Sequence, residues 1–295
     1  MITVESFAKV NRSLVVLGKR PDGFHEIDTV FQTIDLTDRL DLEDFDDLVL
    51  TTNDPGLSVG EDNLVMRAAR ALQKELRLKR GARMRLSKSI PVGSGLGGGS
   101  SNAAAALAGL TRLWGLDVHP DRLRALAAAI GSDVPFFLVG GSARGRGRGE
   151  VVEPLPDLAR LALLLVIPPF GLSTADVYGA LRAPLLSGSL TGIGRDTNLR
   201  GSEPGGFPDR NDLEPAAESL RGELRSLRQA LVRAGAFSAR LSGSGSTVFG
   251  LFRDVSTAKR AAGGLGELPF VTRVEIVPTI TRTEFAKRAS PRITN

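Results

Sequence analysis

Five glycines fall within the seven positions 93–99, in the stretch Pro91-Val92-Gly93-Ser94-Gly95-Leu96-Gly97-Gly98-Gly99-Ser100-Ser101-Asn102. A backbone so free of Cβ atoms takes positive φ and approaches a ligand closely. The stretch runs into Ala103, Leu107, Leu110 and Trp114, spaced as one face of a helix, with Gly115 where such a helix stops. Ser100, Ser101 and Asn102 are the residue types that cap a helix start. A glycine loop opening a helix aims unpaired N–H groups and the positive end of the helix dipole at one point, and that is a place for a phosphate.

Other loops share this look. A phosphate loop of the Gly-Lys-Ser/Thr kind is excluded, because no lysine lies between Lys88 and the end of the helix. Gly93-x-Gly95-x-x-Gly98 satisfies the dinucleotide fingerprint, with Asp117 at the distance of a ribose-binding acid. In a dinucleotide fold that acid ends a second apolar strand, whereas Asp117 lies in a short turn before Pro120. A flexible linker is the plain alternative, and the well-formed helix that follows argues against it.

Three further residues could take part in chemistry. Lys9 lies in an alternating, Val- and Ile-rich segment, residues 2–17, that reads as strand, where a lysine is ordinarily just solvated. His25 follows the turn Arg20-Pro21-Asp22-Gly23-Phe24 and by itself is an exposed turn residue. Asp133 follows a helix-ending glycine, Gly131, and Pro135 is expected to hold Val134 extended and so fix the aspartate's direction.

The elements that must position these groups alternate strands and helices. Residues 27–50 read as two or three strands, with Asp38, Asp41, Glu43, Asp44, Asp46 and Asp47 taken as solvated surface. Asp62 and Asn63 cap a helix buried through Leu64, Ala68, Leu72 and Leu76, and a second helix runs from Pro120 to Ile130 with His119 in its cap region. Gly140 to Glu150, with Arg144, Arg146 and Arg148, reads as a glycine-rich hairpin in preference to an RNA-binding segment, having no interleaved aromatics. Residues 161–167 form a continuous apolar strand, and residues 185–210, rich in Gly, Ser and Pro, a loop. Leu213, Ala217, Leu220, Leu224, Leu227 and Leu231 predict one long amphipathic helix. Ser242-Gly243-Ser244-Gly245 lies between two strands, a helix at 256–265 and a strand at 271–277 follow, and the class is α+β.

At 295 residues the chain has room for two domains. The absence of cysteine excludes disulfides and a thiol nucleophile. No apolar run is long enough to span a membrane and no leader is visible, so a cytoplasmic protein without membrane or nucleic-acid partners is expected. The net charge of +5 is concentrated in the basic tail at Arg282, Lys287, Arg288 and Arg292, taken as solvated.

The glycine stretch resembles the nucleotide-binding loop of the GHMP kinases. Ser6-Phe7-Ala8-Lys9-Val10-Asn11, Gly131-Ser132-Asp133-Val134-Pro135-Phe136-Phe137 and Ser242-Gly243-Ser244-Gly245 resemble further elements of that family, in the same order. The resemblance implies a ribosomal-protein-S5-like N-terminal domain, residues 1–153, a ferredoxin-like C-terminal domain, residues 154–282, and a tail, residues 283–295. It implies ATP with Mg²⁺, a phosphate cradle of Pro91, Val92, Gly93, Ser94, Gly95, Leu96, Gly97, Gly98, Gly99, Ser100 and Ser101, with Asp133 as catalytic base and Lys9 as its partner. The metal ligands stay open, with Ser100 and Ser101 as candidates. Asp22-Gly23-Phe24-His25 resembles a turn of one branch whose small-molecule substrate is a diphosphocytidyl polyol, with phenylalanine where that branch has tyrosine. By that likeness Asn11, Phe24, His25 and Tyr178 bind substrate, phosphorylation falls on a 2-hydroxyl in isoprenoid precursor synthesis, and the protein is a monomer or weak homodimer. A mevalonate- or homoserine-type kinase is the alternative.

Overall fold

The computed structural model describes residues 1–158, 160–181 and 208–294. β1 (Ile2–Lys19) and β2 (His25–Phe45) form a long antiparallel pair, and the length of β2 lets its two ends take different neighbours. Residues Arg39–Phe45 pair with β4 (Gly81–Ser87), which is parallel to β3 (Leu48–Thr52). Residues Ile27–Gln32 pair with β5 (Ser142–Gly147), which hairpins to β6 (Val151–Pro154). Breaks in register between Phe7 and Ala8 and between Asn11 and Ser13 bracket Lys9 and Asn11, and such bulges re-aim side chains locally.

Three helices cover this sheet. α1 (Leu64–Leu76) starts at Asn63, whose side chain accepts from the Val65 amide, as its sequence predicts. α2 (Gly98–Leu113) packs Ala103, Leu107 and Leu110 against Val4, Leu40 and Leu42, and its small residues let it lie close to the sheet. α3 (Pro120–Ile130) is capped by His119, whose Nδ1 accepts from the Asp121 amide.

The second sheet has the order β10 (Arg273–Pro278), β7 (Ala162–Ile167), β9 (Val248–Phe252), β8 (Ser238–Leu241), all antiparallel. Leu164 and Val166 face α6 (Glu223–Arg233) and α7 (Val255–Gly266) through Leu227, Leu231, Ala258 and Leu265. Leu163 and Leu165 lie in a different cluster, with Phe249, Ala8, Val10, Ile34 and Leu96. β7 is therefore buried on both faces, which is why it reads as an unbroken apolar run. The shared cluster joins the two sheets.

Three expectations change. The predicted long helix is two, α5 (Glu214–Leu220) and α6, because Arg221 is extended (φ −144°, ψ 93°) and Gly222 restarts the chain; the leucine spacing continues across a break it does not reveal. Val134 is not extended: Val134–Leu138 is a short 3₁₀ helix with Pro135 in its first turn, where a missing N–H costs nothing. The tail is not solvated either, since α8 (Arg282–Ala289) packs Phe285 on Phe7 at 5.4 Å between ring centres, and β11 (Arg292–Ile293) pairs with β1. Arg288 there bonds Glu5 and Asp35. The expected loop at 185–210 lies outside the described residues except at its end. Among the described residues no helix is long and apolar enough to cross a membrane.

Candidate active site

A cleft of about 1290 Å³ opens beside the seam between the sheets. Its centre is Lys9, whose side chain is only 4% exposed. The ammonium donates to Asn11 Oδ1 at 2.7 Å and to the Gly95 carbonyl at 2.9 Å, and lies 3.4 Å from Asp133 Oδ2. Asn11 is held in turn by donating to Thr29 Oγ1 at 2.8 Å. A buried ammonium with acceptors on three sides is fixed in place, and it presents a fixed charge to Asp133. Asp133 is the less buried partner, its side chain 31% exposed. Its backbone is anchored by the 3₁₀ helix that follows, in which Val134 and Phe136 are buried, the latter against Phe31 at 4.8 Å.

The glycine loop is docked from both sheets. The Lys9 amide donates to the Leu96 carbonyl at 3.0 Å, and from the second sheet the Thr247 amide donates to the Ser94 carbonyl at 3.0 Å. Ser242 Oγ donates to the Gly95 carbonyl at 2.9 Å, the same oxygen that Lys9 reaches. Asn211, in a bridge to β1, donates to the carbonyls of Leu241 and Gly243 at 2.8 Å each and so fixes the second glycine motif. α2 begins earlier than its sequence suggests. Gly97 (φ 72°) is the cap, with no side-chain hydrogen bond, so Ser100, Ser101 and Asn102 sit inside the first turns instead of capping it. A Cβ on Gly97 would lie 2.8 Å from Phe137 Cζ and 3.1 Å from Lys9 Cε, so both conformation and space require glycine there.

Most of the expected site residues share this cleft: Lys9, Asn11, Phe24, His25, Pro91 to Gly95, Gly97 to Ser100, Asp133 and Tyr178. Leu96 and Ser101 do not line it. Leu96 is fully buried in the cluster joining the sheets, and Ser101 is 2% exposed. His25 and Tyr178 stack on each other, 4.8 Å between ring centres and 25° between planes, so they form one aromatic surface where separate contacts were expected. Burial first, and the Lys19 charge second, push the His25 imidazole below its ordinary pKa, which keeps it neutral at pH 7. Burial, with the charge of Asp133 adding to it, pushes the Tyr178 hydroxyl well above its ordinary range. Phe24 is half exposed, with the Arg148 guanidinium 4.7 Å from its ring centre.

Sequence reading missed a buried network under the loop. Asp38, placed among solvated acids, is 1% exposed. It accepts from the amides of Ser89 and Ile90 at 2.7 and 2.8 Å, from Asn102 Nδ2 at 2.9 Å, and pairs with the Lys88 ammonium. The signal available in sequence was weak: alternation along β2 puts Asp38 on the face of Leu40 and Leu42, inside the helix-covered side. In the β5–β6 hairpin Arg144 pairs with Asp28 and Arg146 with Glu153, while the Arg148 guanidinium only approaches Glu150, at 3.7 Å.

Residues 63–141 match the GHMP kinases N terminal domain and residues 181–268 the GHMP kinases C terminal domain. A 4-diphosphocytidyl-2-C-methyl-D-erythritol kinase of Pelotomaculum thermopropionicum is 42% identical over 269 residues, covering 89% of this chain and 93% of that protein. The crystal structure of a 4-(cytidine 5'-diphospho)-2C-methyl-D-erythritol kinase superposes with a TM-score of 0.75 at 35% identity, over 94% of this chain and 98% of the other. A homoserine kinase from Cytophaga hutchinsonii shares the fold, with a TM-score of 0.74 at 20% identity over 99% and 97% of the two chains. Matched by both domain models and 42% identical to a relative over 89% of its length, this protein belongs to the GHMP kinase family.

Proposed function

We propose that the chain transfers the γ-phosphoryl group of ATP to the 2-hydroxyl of 4-diphosphocytidyl-2-C-methyl-D-erythritol, in the non-mevalonate supply of isoprenoid precursors. The observation that carries this reading is a single cleft with the Lys9–Asp133 pair beside the glycine loop and the His25–Tyr178 stack on its wall. A phosphate acceptor bearing a flat base suits that cleft. Mevalonate and homoserine carry no base and would leave the stack unused.

Phosphoryl transfer asks for positioning and for charge stabilisation more than for covalent help. The first N–H groups of α2, at Gly98, Gly99 and Ser100, have no side-chain cap and face the ATP phosphates, with the helix dipole behind them. Asp133 accepts the proton of the substrate hydroxyl as the bond to phosphorus forms. A carboxylate is a weak base toward an alcohol, so the proton moves late. Lys9 holds the carboxylate in place and offsets the charge that gathers between hydroxyl and phosphate. Leu57 and Leu64, which also line the cleft, offer apolar surface for the adenine.

No three acidic or histidine side chains group together among the described residues to hold a metal ion. Mg²⁺ takes its ligands mainly from phosphates and water, so a site offering one hydroxyl fits it. With Ser101 buried, Ser100 is the residue to hold it. When bound, Mg²⁺ neutralises phosphate charge. ATP chemistry of this kind suits the cytoplasm, and a monomer or weak homodimer is compatible with a cleft lined by this chain.

The direct test measures ADP formation with a panel of alcohols: the diphosphocytidyl polyol, mevalonate and homoserine. Faster turnover of mevalonate or homoserine would leave only the broader kinase reading. Tyr178→Ala should raise the KM for the cytidylyl substrate about 5- to 150-fold, since stacking of a base on an aromatic contributes about 1–3 kcal/mol. The KM for ATP should stay within about twofold. Because His25 leans on Tyr178, the double variant with His25→Ala should lose less than the product of the two single losses. Gly97→Val should weaken ATP binding by about 10- to 100-fold, because a branched side chain resists positive φ at a strain of roughly 1–3 kcal/mol and drives into Phe137 and Lys9. Isothermal titration with a non-hydrolysable ATP analogue reads this, and unchanged affinity in folded protein removes the cradle.

A further inference from the structure

Arg148 is a cation in the cleft wall whose guanidinium has a long ion pair with Glu150 and, among the described residues, no hydrogen bond. It stands at the turn of the β5–β6 hairpin, is 28% exposed in its side chain, and rests over the exposed face of Phe24 at 4.7 Å. Its own amide donates to Glu150 Oε2 at 2.5 Å, but its guanidinium only approaches the other oxygen of that carboxylate, at 3.7 Å. Among the described residues the guanidinium makes no hydrogen bond, in contrast to that of Arg146 on β5. A planar fork with five N–H donors, none of them hydrogen-bonded among the described residues, beside an aromatic and in a cleft, is built for an oxyanion.

Its position says which one. The next residue, Gly149, lies against Asp133: a Cβ built on it would be 3.7 Å from Asp133 Oδ1. Phe24, beneath the guanidinium, adjoins His25 and through it the stack with Tyr178. Tyr178 in turn is near enough to Asp133 to feel its charge. Arg148 thus stands between the carboxylate that receives the hydroxyl proton and the rings that receive the base. In a substrate whose reacting polyol and base are joined by a diphosphate, that diphosphate must cross this interval.

We infer that Arg148 is a substrate-binding and specificity-determining residue that grips the diphosphate bridge of the acceptor substrate while its stem packs on Phe24. Stacking on the ring supports the guanidinium in a position where Phe24, lacking a hydroxyl, has no polar atom to offer. Glu150 orients the residue from behind through its amide without consuming the fork. The inference rests on the cytidylyl substrate proposed above.

The experiment compares cytidine with CDP, which differ only by the phosphates. Binding of each is titrated calorimetrically to the full chain with the ATP cradle filled by a non-hydrolysable ATP analogue, so that CDP cannot lodge there. Wild type should bind CDP at least about tenfold more tightly than cytidine, the gain of one charge-assisted contact or more. Arg148→Gln should lose about 10- to 100-fold in CDP affinity while its cytidine affinity stays within about threefold, which also shows that the variant is folded. Arg148→Lys should fall between, keeping the charge and losing the fork. Equal losses for both ligands would mean that Arg148 only props Phe24, and an unchanged CDP affinity would mean that it never meets the phosphates. Either overturns the inference and leaves the substrate standing. Failure of wild type to bind both ligands overturns the substrate itself.

Discussion

Asp133→Asn should lower kcat by about 10²- to 10⁴-fold and leave ATP affinity within a few fold, the usual weight of one positioned acid–base group. The amide keeps the shape of the side chain and can still accept a hydrogen bond, but it takes no proton and carries no charge. The neighbourhood makes the substitution clean. The ring of acceptors around Lys9 survives through Asn11 and Gly95, so the ammonium has no reason to leave its place. The 3₁₀ helix that anchors residue 133 is held by Val134 and Phe136, which are untouched. Single-turnover ADP formation separates the chemical step from product release. A variant retaining more than half of wild-type kcat would make Asp133 a turn residue and nothing more.

Asp38→Ala should destabilise the fold by about 3–5 kcal/mol, the cost typical of removing one partner from a buried ion pair. The change leaves the Lys88 ammonium, 6% exposed, without its counter-charge, leaves the Ser89 and Ile90 amides without their acceptor, and takes one of two acceptors from Asn102 Nδ2. Asn102 keeps its bond to Ser6 Oγ at 2.7 Å and the one its Oδ1 accepts from the Lys88 ammonium at 3.1 Å. The amides belong to Ser89 and Ile90, the residues that lead into the glycine loop, and Asn102 belongs to the helix that leaves it. One carboxylate therefore clamps both sides of the loop. Urea unfolding of the variant reads the loss, and a difference below about 1 kcal/mol would show that the carboxylate is not needed to hold the loop's two ends together.

The parts of this protein that were legible in the sequence are those where the backbone itself is the functional group. Gly95 and Gly97 take positive φ, and no other residue type serves there, so the loop announces itself in composition. The alternation of β1, the caps at Asn63 and His119 and the turn before His25 are likewise local choices that local chemistry reveals. What stayed hidden depends on partners far along the chain. Asp38 reads as one acid among many because its counter-charge is 50 residues away. The break between α5 and α6 hides inside a continuous leucine period, and the tail's arginines read as solvated because Glu5 and Asp35, which bind Arg288, lie at the opposite end of the chain. Arg148 was visible as charge, but its place in the cleft came only with the hairpin that turns it toward Phe24.

The return of the last segment to the first strand sets a difference between the order of synthesis and the order of assembly. β1 comes early in the chain and β2 can pair with one of its edges at once, but β11, which pairs with Ile2 and Thr3 on the other edge, and Phe285, which packs on Phe7, are made only after the whole second sheet. Throughout translation the nascent chain carries an open strand edge of the kind that recruits strangers. The bulges at Phe7/Ala8 and Asn11/Ser13 that aim Lys9 and Asn11 at the cleft also bend that edge out of the flat shape another strand would need, so the same irregularity that shapes the site shields the unfinished chain.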